Sequence, residues 1–527
     1  MADGYDVVVI GGGHNGLVAA TYLGRAGRRV AVLERRSVLG GPATTEEIRP
    51  GFRAPTGAAL VGMLRPEVVR DLQLDQHGLQ LIPVDPVVTS IGEDGRILRL
   101  WNDPAKAAAE IAKFSAKDAD AYIKFHDFLV GLAATLDPIM MRTPPNALAM
   151  GTGEMLYYLR FALRARRLGK WAIGQALRFP QMALRASLGE WFETELLKAT
   201  LSVDALLGRW AGPWSPGTSF GVLHRFWPAV HGSAWAIVRG GTGVLTDAIA
   251  AAARAAGVTI RTDAAVARIT TTDGRATGVQ LESGEAIAAQ VVASSADAKR
   301  TLLGLLAPAD LELEVQRRIQ HMRMEGAVAK INLALSSLPK LKGDDGVAAP
   351  RIRYGPTLEY LERAYDDAKY GKASAHPYFD VTIPSLLDPS LAPSGQHVMS
   401  ILAQFAPYHL RRGDWKTEKG KFADRVVDRL DELMPGLRTA ILAEQVLTPV
   451  DIEEKFGLTG GHIYQGEMSL DQQAFLRPVP GWGQYRTPIQ NLYLVGSSAH
   501  PGGGITGGPG HNAARQILHD WGRAARA

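Results

Sequence analysis

The spacing of apolar positions changes along the chain, and those changes divide it. Val7, Val8, Val9 and Ile10 form a β-branched run, the pattern of a parallel strand buried on both faces. Leu17, Ala20, Leu23 and Gly24 then recur at helical spacing until Gly27, and Val30 to Leu33 read as a second strand. Leu79 to Val84, Val87 to Ile91 and Arg96 to Trp101 follow as short strands, the last after a Glu93-Asp94-Gly95 turn, in a hairpin pattern. From Pro104 to about Trp191 the period is helical. After a helix through Ala253 come strands at Val258 to Arg261, Ala265 to Thr270, Ala276 to Leu281 and Val291 to Ser294.

Residues 300 to 490 alternate at Ala327 to Leu335, Tyr378 to Ile383, His397 to Gln404 and Gln445 to Thr448, which predicts a sheet. Helices are predicted near 310–320 and 419–433, a last buried strand at Leu492 to Val495, and a closing helix from about Gly510. The expectation is an α/β protein that opens on a strand, helix and strand and carries a separate mixed sheet.

At 527 residues the chain is too long for one simple domain, and its apolar fraction of 46% is that of a globular protein. The formal charge of +5 is small for this size, and no motif joins a basic face to stacking aromatics, so nucleic acid is not an expected partner. The absence of cysteine excludes disulfides, thiolate metal sites and redox dithiols, and no metal site is expected. No uninterrupted apolar run approaches the roughly 18–20 residues needed to span a bilayer, and the first residues lead straight into a strand, so a cytoplasmic location is expected.

Chemistry enters at the first turn. Gly11, Gly13 and Gly16 supply G-x-G-x-x-G between strand and helix, where a tight turn lets backbone approach a pyrophosphate and the helix N-terminus favours negative charge. Glu34 stands about 20 residues further on, at the end of the second strand, where a carboxylate accepts from both ribose hydroxyls. Glu34 would repel a ribose 2′-phosphate, so Arg35 and Arg36 read as solvated arginines; Arg35 stays among the cofactor-side candidates through its neighbour. His14 and Asn15 lie inside the turn, Asn15 as a cap or phosphate ligand and His14 as lining. Gly51 to Leu64 is small, apolar and glycine-bearing, which suits backbone approaching a flat ring, or an ordinary buried loop.

The glycine pair Gly40-Gly41 after the second strand, with GGGHNG at the start, resembles the flavin-dependent phytoene desaturase superfamily. The block GGTGVLTDAIAAAARAAGVTIRTDAAVARITTTDGRATGVQL and the segment SSAHPGGGITGGPGHNAA extend that resemblance toward its carotenoid ketolase branch and the branch of pyridine nucleotide-disulfide oxidoreductase domain-containing protein 2. The resemblance implies non-covalent FAD in a Rossmann-type, glutathione reductase-like domain assembled from residues 1–70, 236–300 and 488–527. It implies a mixed-sheet substrate domain of residues 71–103 and 301–487 and a helical cap of residues 104–235. It places Gly40 and Gly41 against the pyrophosphate, Gly57 and Ala58 near the flavin, and backbone at Val266 against adenine. It also places Gly496 by the pyrophosphate and ribityl chain, and Gly503, Gly504 and Ile505 under the isoalloxazine. Ser497 stands where many FAD folds carry an aspartate toward the ribityl hydroxyls.

The implied activity is desaturase-like, with hydride passing from an extended apolar, isoprenoid-like or polyene substrate to flavin N5. His500 is the candidate base by resemblance, beside a second role orienting loop backbone, and His231 and Tyr464 are further candidates. A flavin amine oxidase, a flavin-bound interaction protein with little turnover, and a non-redox isomerase are the other readings. Pro213 to Val238, rich in Trp, Phe and His, suits the wall of a large apolar pocket. Residues 155–189 are basic without an acidic side chain, with Arg160, Arg164 and Arg167 on one helical face between apolar flanks. That segment fits either a peripheral contact with anionic lipid or a solvated arginine stripe. The sequence says nothing of the oligomeric state.

Overall fold

The computed structural model describes residues 4–145, 151–343 and 345–524, and places most of its strands in two large sheets, with two small strand pairs beside them. Tyr5–Ile10 is central to the first, because Val7, Val8 and Val9 are fully buried and can be covered only by neighbours on both edges and both faces. Val7 pairs in parallel with Val30 of Val30–Leu33 on one side and with Val291 of Ala286–Ser294 on the other. Thr259–Arg261 adds a parallel strand beyond Val30–Leu33.

Ala286–Ser294 changes partner along its length. Its first residues pair antiparallel with Arg275–Leu281, and Val292 to Ser294 pair in parallel with Leu492–Leu494 near the far end of the chain. Val266–Thr272 completes the antiparallel edge. Strands from three remote parts of the sequence thus make one sheet, covered by the helices His14–Arg25, Gly243–Ala255 and Gly508–Ala524.

The second sheet runs in the order Ile441–Leu447, Val328–Leu335, His397–Gln404, Tyr378–Thr382, Arg351–Tyr354, Val88–Ile91, Ile97–Leu100. Alternation gives it two unlike faces. Ile331, Ile352, Val381 and Ile401 point to one side and pack on Phe422, Val426 and Leu430 of the helix Trp415–Leu433. Lys330, Arg351, Arg353, Asp380 and Ser400, each one residue out of phase with that set, are also buried. A helical layer supplies a third core, in which Phe125 meets Phe179, Trp191, Phe192 and Phe226 edge to face.

Two expectations change. Leu79–Val84 does not join a hairpin with Val87–Ile91: Leu81–Pro83 pairs instead with Ala236–Val238, and Val88–Ile91 pairs with Ile97–Leu100 across the predicted turn. Pro86 lies between the two runs and has no N–H to extend a ladder. Phe52–Pro55, inside the expected small-residue loop, is a strand paired with Thr45–Arg49. Among the described residues no helix is long and apolar enough to cross a membrane. The helix Thr152–Ala165 buries no residue and leaves Met155, Leu156, Leu159 and Leu163 about half exposed or more, with Trp171 and Leu177 exposed just beyond it.

Candidate flavin and substrate site

A cavity of about 600 Å³ runs from the first glycine turn to the polar face of the second sheet. At its nucleotide end the helix His14–Arg25 begins with no side-chain cap and no acidic residue in its first turn, and its first internal bond is Leu17 N–H to Gly13 O. Its leading N–H groups and its dipole are therefore left for an anion. Gly11, Gly13, His14, Asn15 and Gly41 line the cavity there. Gly16 sits behind them, where a Cβ would lie 2.3 Å from Gly11 O, so it brings helix against turn. Gly40 is likewise behind the wall, its N–H donating to Gly12 O at 2.9 Å.

Glu34 is fixed at the end of its strand by two backbone donors. Gly12 N–H donates to Oε2 at 2.8 Å and Arg36 N–H to Oε1 at 2.9 Å, while the side chain lines the cavity. Arg35 also lines it and stays exposed, as expected, while Arg36 is half-buried. The Arg35 guanidinium donates to the carbonyls of Glu454 and Lys455, the end of the helix Pro449–Phe456, and Arg36 pairs with Glu46 at 2.5 Å. Helix C-terminal carbonyls attract a cation, which a linear reading of residues 34–36 does not reveal.

The C-terminal segment closes the same cavity. Asn15 Nδ2 donates to Ser497 Oγ at 3.1 Å, Gly504 and Ile505 line the wall, and Gly57, Ala58 and Val266 join from their own segments. Gly496 and Gly503 stand one layer back: a Cβ on Gly496 would meet Ser295 O at 2.4 Å, and one on Gly503 the Tyr464 side chain at 2.3 Å. Buried Arg477 fixes this layer by donating to the carbonyls of Ser497, Tyr464 and Glu467 at 2.8–3.0 Å.

The three acid/base candidates separate. Tyr464 lines the cavity with its hydroxyl donating to Leu207 O at 3.3 Å, and burial pushes its phenol up to about 12, which leaves it a neutral donor. His500 is 3% exposed and is not part of the lining; its Nε2 lies 2.8 Å from Ile139 O, and burial lowers it to about 4. His231 is also outside the lining, bonded to Asp137, which Arg65 and Trp227 share. His224 does line the cavity, its ring 5.2 Å from Trp235, and burial lowers it to about 4.

Charged residues at the inner end were not singled out from the sequence. Lys330, Asp380, Arg351 and Asp204 all line it, with Ser400 and Thr382. Arg351 grips Asp380 at 2.9 and 2.7 Å, and Arg353 bonds Asp380 at 2.7 Å and both oxygens of Asp204. Burial alone would raise both carboxyls, but the arginines hold them well below the usual carboxylate range. The available signal was charge in otherwise apolar strands: Lys in VAKINLAL, Asp in YFDVT, alternating Arg in RIRY.

The site fits FAD. His14 Nε2 and Asn15 Oδ1 are buried without a partner beside an uncapped helix start, and a ribose-directed carboxylate faces the same space. Fold and site together define a two-sheet flavoprotein oxidoreductase with FAD as its cofactor. The chain belongs to the flavin containing amine oxidoreductase family, whose profile matches residues 16–518. It is 40% identical to pyridine nucleotide-disulfide oxidoreductase domain-containing protein 2 of Rattus norvegicus, over 98% of this chain and 94% of that protein. It is 28% identical to the lycopene-forming phytoene desaturase of Pantoea ananas, over 95% of this chain and 96% of that one. Cyclohexylamine oxidase from Brevibacterium oxydans shares the fold with a TM-score of 0.59 at 17% identity, over 99% of this chain and 100% of that one.

Proposed function

We propose that this protein dehydrogenates an extended, largely apolar carbon skeleton in a desaturase-like reaction. The observation that carries the reading is the continuity of one cavity, which holds the nucleotide-side residues and, further in, Met63, Leu207, Trp235, Leu402 and Ile463. Those apolar walls exclude water and hold an elongated substrate by burial, about 25 cal/mol per Å² removed from water. The similarity to a phytoene desaturase over nearly its whole length supports the same reading. Bound FAD supplies the hydride acceptor. The chain's own residues position the substrate; Tyr464 offers a neutral hydroxyl, and neutral His224 a nitrogen for the second proton.

An amine oxidase reading is less well supported, because Asp204 and Asp380 are already bound by arginines and the remaining charge at the inner end is positive. A cationic amine meets no free carboxylate there. The proposal extends to a peripheral membrane contact: Leu156, Leu159 and Leu163 form an exposed apolar row beside Arg160 and Arg164, the composition of an interfacial helix.

The test is anaerobic titration of the yellow protein with polyene hydrocarbons and with soluble amines. Loss of the oxidised flavin band on adding polyene, with a desaturated product, supports the proposal. Bleaching by amines alone refutes it.

A further inference from the structure

The helix Pro449–Phe456 follows the edge strand Ile441–Leu447 of the second sheet and ends at the nucleotide end of the cavity. There Glu454, Lys455, Phe456 and Gly457 line it beside Glu34 and Arg35. Two sets of bonds hold the helix to the first domain. Arg35 donates to the carbonyls of Glu454 and Lys455 at 2.6 and 2.7 Å. Glu46, on the strand Thr45–Arg49 and outside the lining, accepts from the Lys455 ammonium on one oxygen and from the Arg36 guanidinium on the other, each at 2.5 Å. Burial alone would raise the Glu46 carboxyl, but Lys455 and Arg36 hold it below the usual range, so both bonds are charge-assisted. The Arg36 guanidinium also stands 5.3 Å from the centre of the Phe456 ring. Each of these contacts joins one protein segment to another and is complete in itself.

The helix is a lightly packed element between two firm ones. At its start Thr448 and Asp451 cap each other, Thr448 N–H donating to Asp451 Oδ2 at 2.7 Å and Asp451 N–H to Thr448 Oγ at 3.3 Å. Beyond its end Thr459 is tied to the wholly buried carboxylate of Asp297 by its N–H at 3.0 Å and its hydroxyl at 2.8 Å. Between these points the helix buries only Pro449 and Ile452. Ile452 packs with Leu447 and Leu458 in a small cluster separate from the three main cores. An element with so few buried apolar contacts opens at lower cost than the sheets on either side of it. Gly457, at φ +69°, makes the left-handed turn that ends the helix and frees the chain to change direction there.

We propose that the helix Pro449–Phe456 is a strap that gates the entry and release of FAD, latched shut by Glu46 between Lys455 and Arg36. The inference concerns the cofactor alone and holds whatever the substrate is. The adenosine half belongs between Glu34 and the strap, so it passes only when the bonds to Lys455 and its carbonyl part. The latch acts between protein segments, so weakening it raises the open fraction of the empty and the loaded protein by the same factor. Uptake and release then quicken together and affinity hardly moves. A wall that only touched the nucleotide would behave differently, since its loss would speed release and weaken binding in step.

Glu46→Gln tests the latch, because it leaves an amide N–H facing one of the two cations and alters no residue of the lining. Exchange of bound FAD against excess labelled FAD gives the release rate, and quenching of flavin fluorescence on mixing FAD with apoprotein gives the uptake rate. Both should rise by about five- to tenfold, with the dissociation constant unchanged within about twofold. An unchanged release rate overturns the proposal, as does faster release with uptake unaltered. A second variant tests the strap without weakening it. The chain has no cysteine, so Glu46→Cys with Lys455→Cys supplies the only two thiols, which a short bismaleimide can bridge. Bridging the loaded protein should slow FAD release at least about tenfold relative to the same protein before the bridge, and bridging the apoprotein should block uptake. Release that is as fast after bridging as before it also overturns the proposal.

Discussion

Gly13 and Gly16 share one turn but face different surroundings, so an alanine at each separates cofactor binding from folding. At Gly16 a Cβ would lie 2.3 Å from Gly11 O and 3.1 Å from the Ser295 Cβ, neither of which is the end of a flexible side chain. The helix must move off the turn, an overpacking cost of about 1–3 kcal/mol. Gly13 has φ −71°, which any residue adopts, and the nearest atom to its Cβ is Ser295 Oγ at 3.9 Å. Alanine fits there at a helix-capping cost of at most about 1 kcal/mol. Its methyl, however, enters the cavity in front of the leading N–H groups, and FAD affinity should fall by about tenfold or more, at least about 1.4 kcal/mol. Thermal unfolding of the two apoproteins and titration with FAD, followed by flavin fluorescence quenching, measure the two effects. Gly13→Ala should melt near the unaltered protein and bind FAD weakly, and Gly16→Ala should melt low. A Gly13→Ala protein that holds FAD as tightly as the unaltered one refutes the assignment of this turn.

Acid should destabilise the fold partly through His500. Its folded pKa of about 4 lies below the unfolded value near 6.5, so its contribution is full above about 6.5 and is lost as pH falls toward 4, about 3 kcal/mol in all; urea midpoints across that range should flatten in His500→Gln. Arg353→Met leaves Asp204 and Asp380 short of a buried partner and should cost about 3–5 kcal/mol in chemical denaturation. Replacing Leu156, Leu159 and Leu163 together by Gln should abolish co-sedimentation with anionic vesicles while leaving FAD content and melting unchanged, since the helix that carries them buries no residue. Retained vesicle binding would assign the exposed row another role.

The nucleotide half was readable because its signals are local: a β-branched run, glycines at fixed spacing, and a carboxylate at a strand end each report on their own neighbourhood. The inner wall was not. Lys330, Asp380 and Arg351 lie on three strands, and only the pairing of Arg353 with Asp380 and of Lys330 with Leu402 sets them side by side. Each alone reads as an odd charge in an apolar strand. His500 shows the opposite limit, a histidine in a glycine-rich segment whose bond to Ile139 depends on a helix 361 residues away. Short elements with weak periodicity, such as Pro66–Leu72 and Arg351–Tyr354, took shape from tertiary packing rather than from their own sequence.

The bond between Asn15 and Ser497 spans 482 positions, and the strand at Leu492–Leu494 fills the place beside Val292 to Ser294. Translation at about 5–20 residues per second makes the opening strand wait on the order of 25–100 s for that partner. Until then the nascent sheet has an unfilled edge and its cofactor pocket lacks a wall, so tight flavin loading should follow the emergence of the last strand from the ribosome. Nascent chains arrested before Leu492 should accumulate as chaperone clients however much FAD the cell provides.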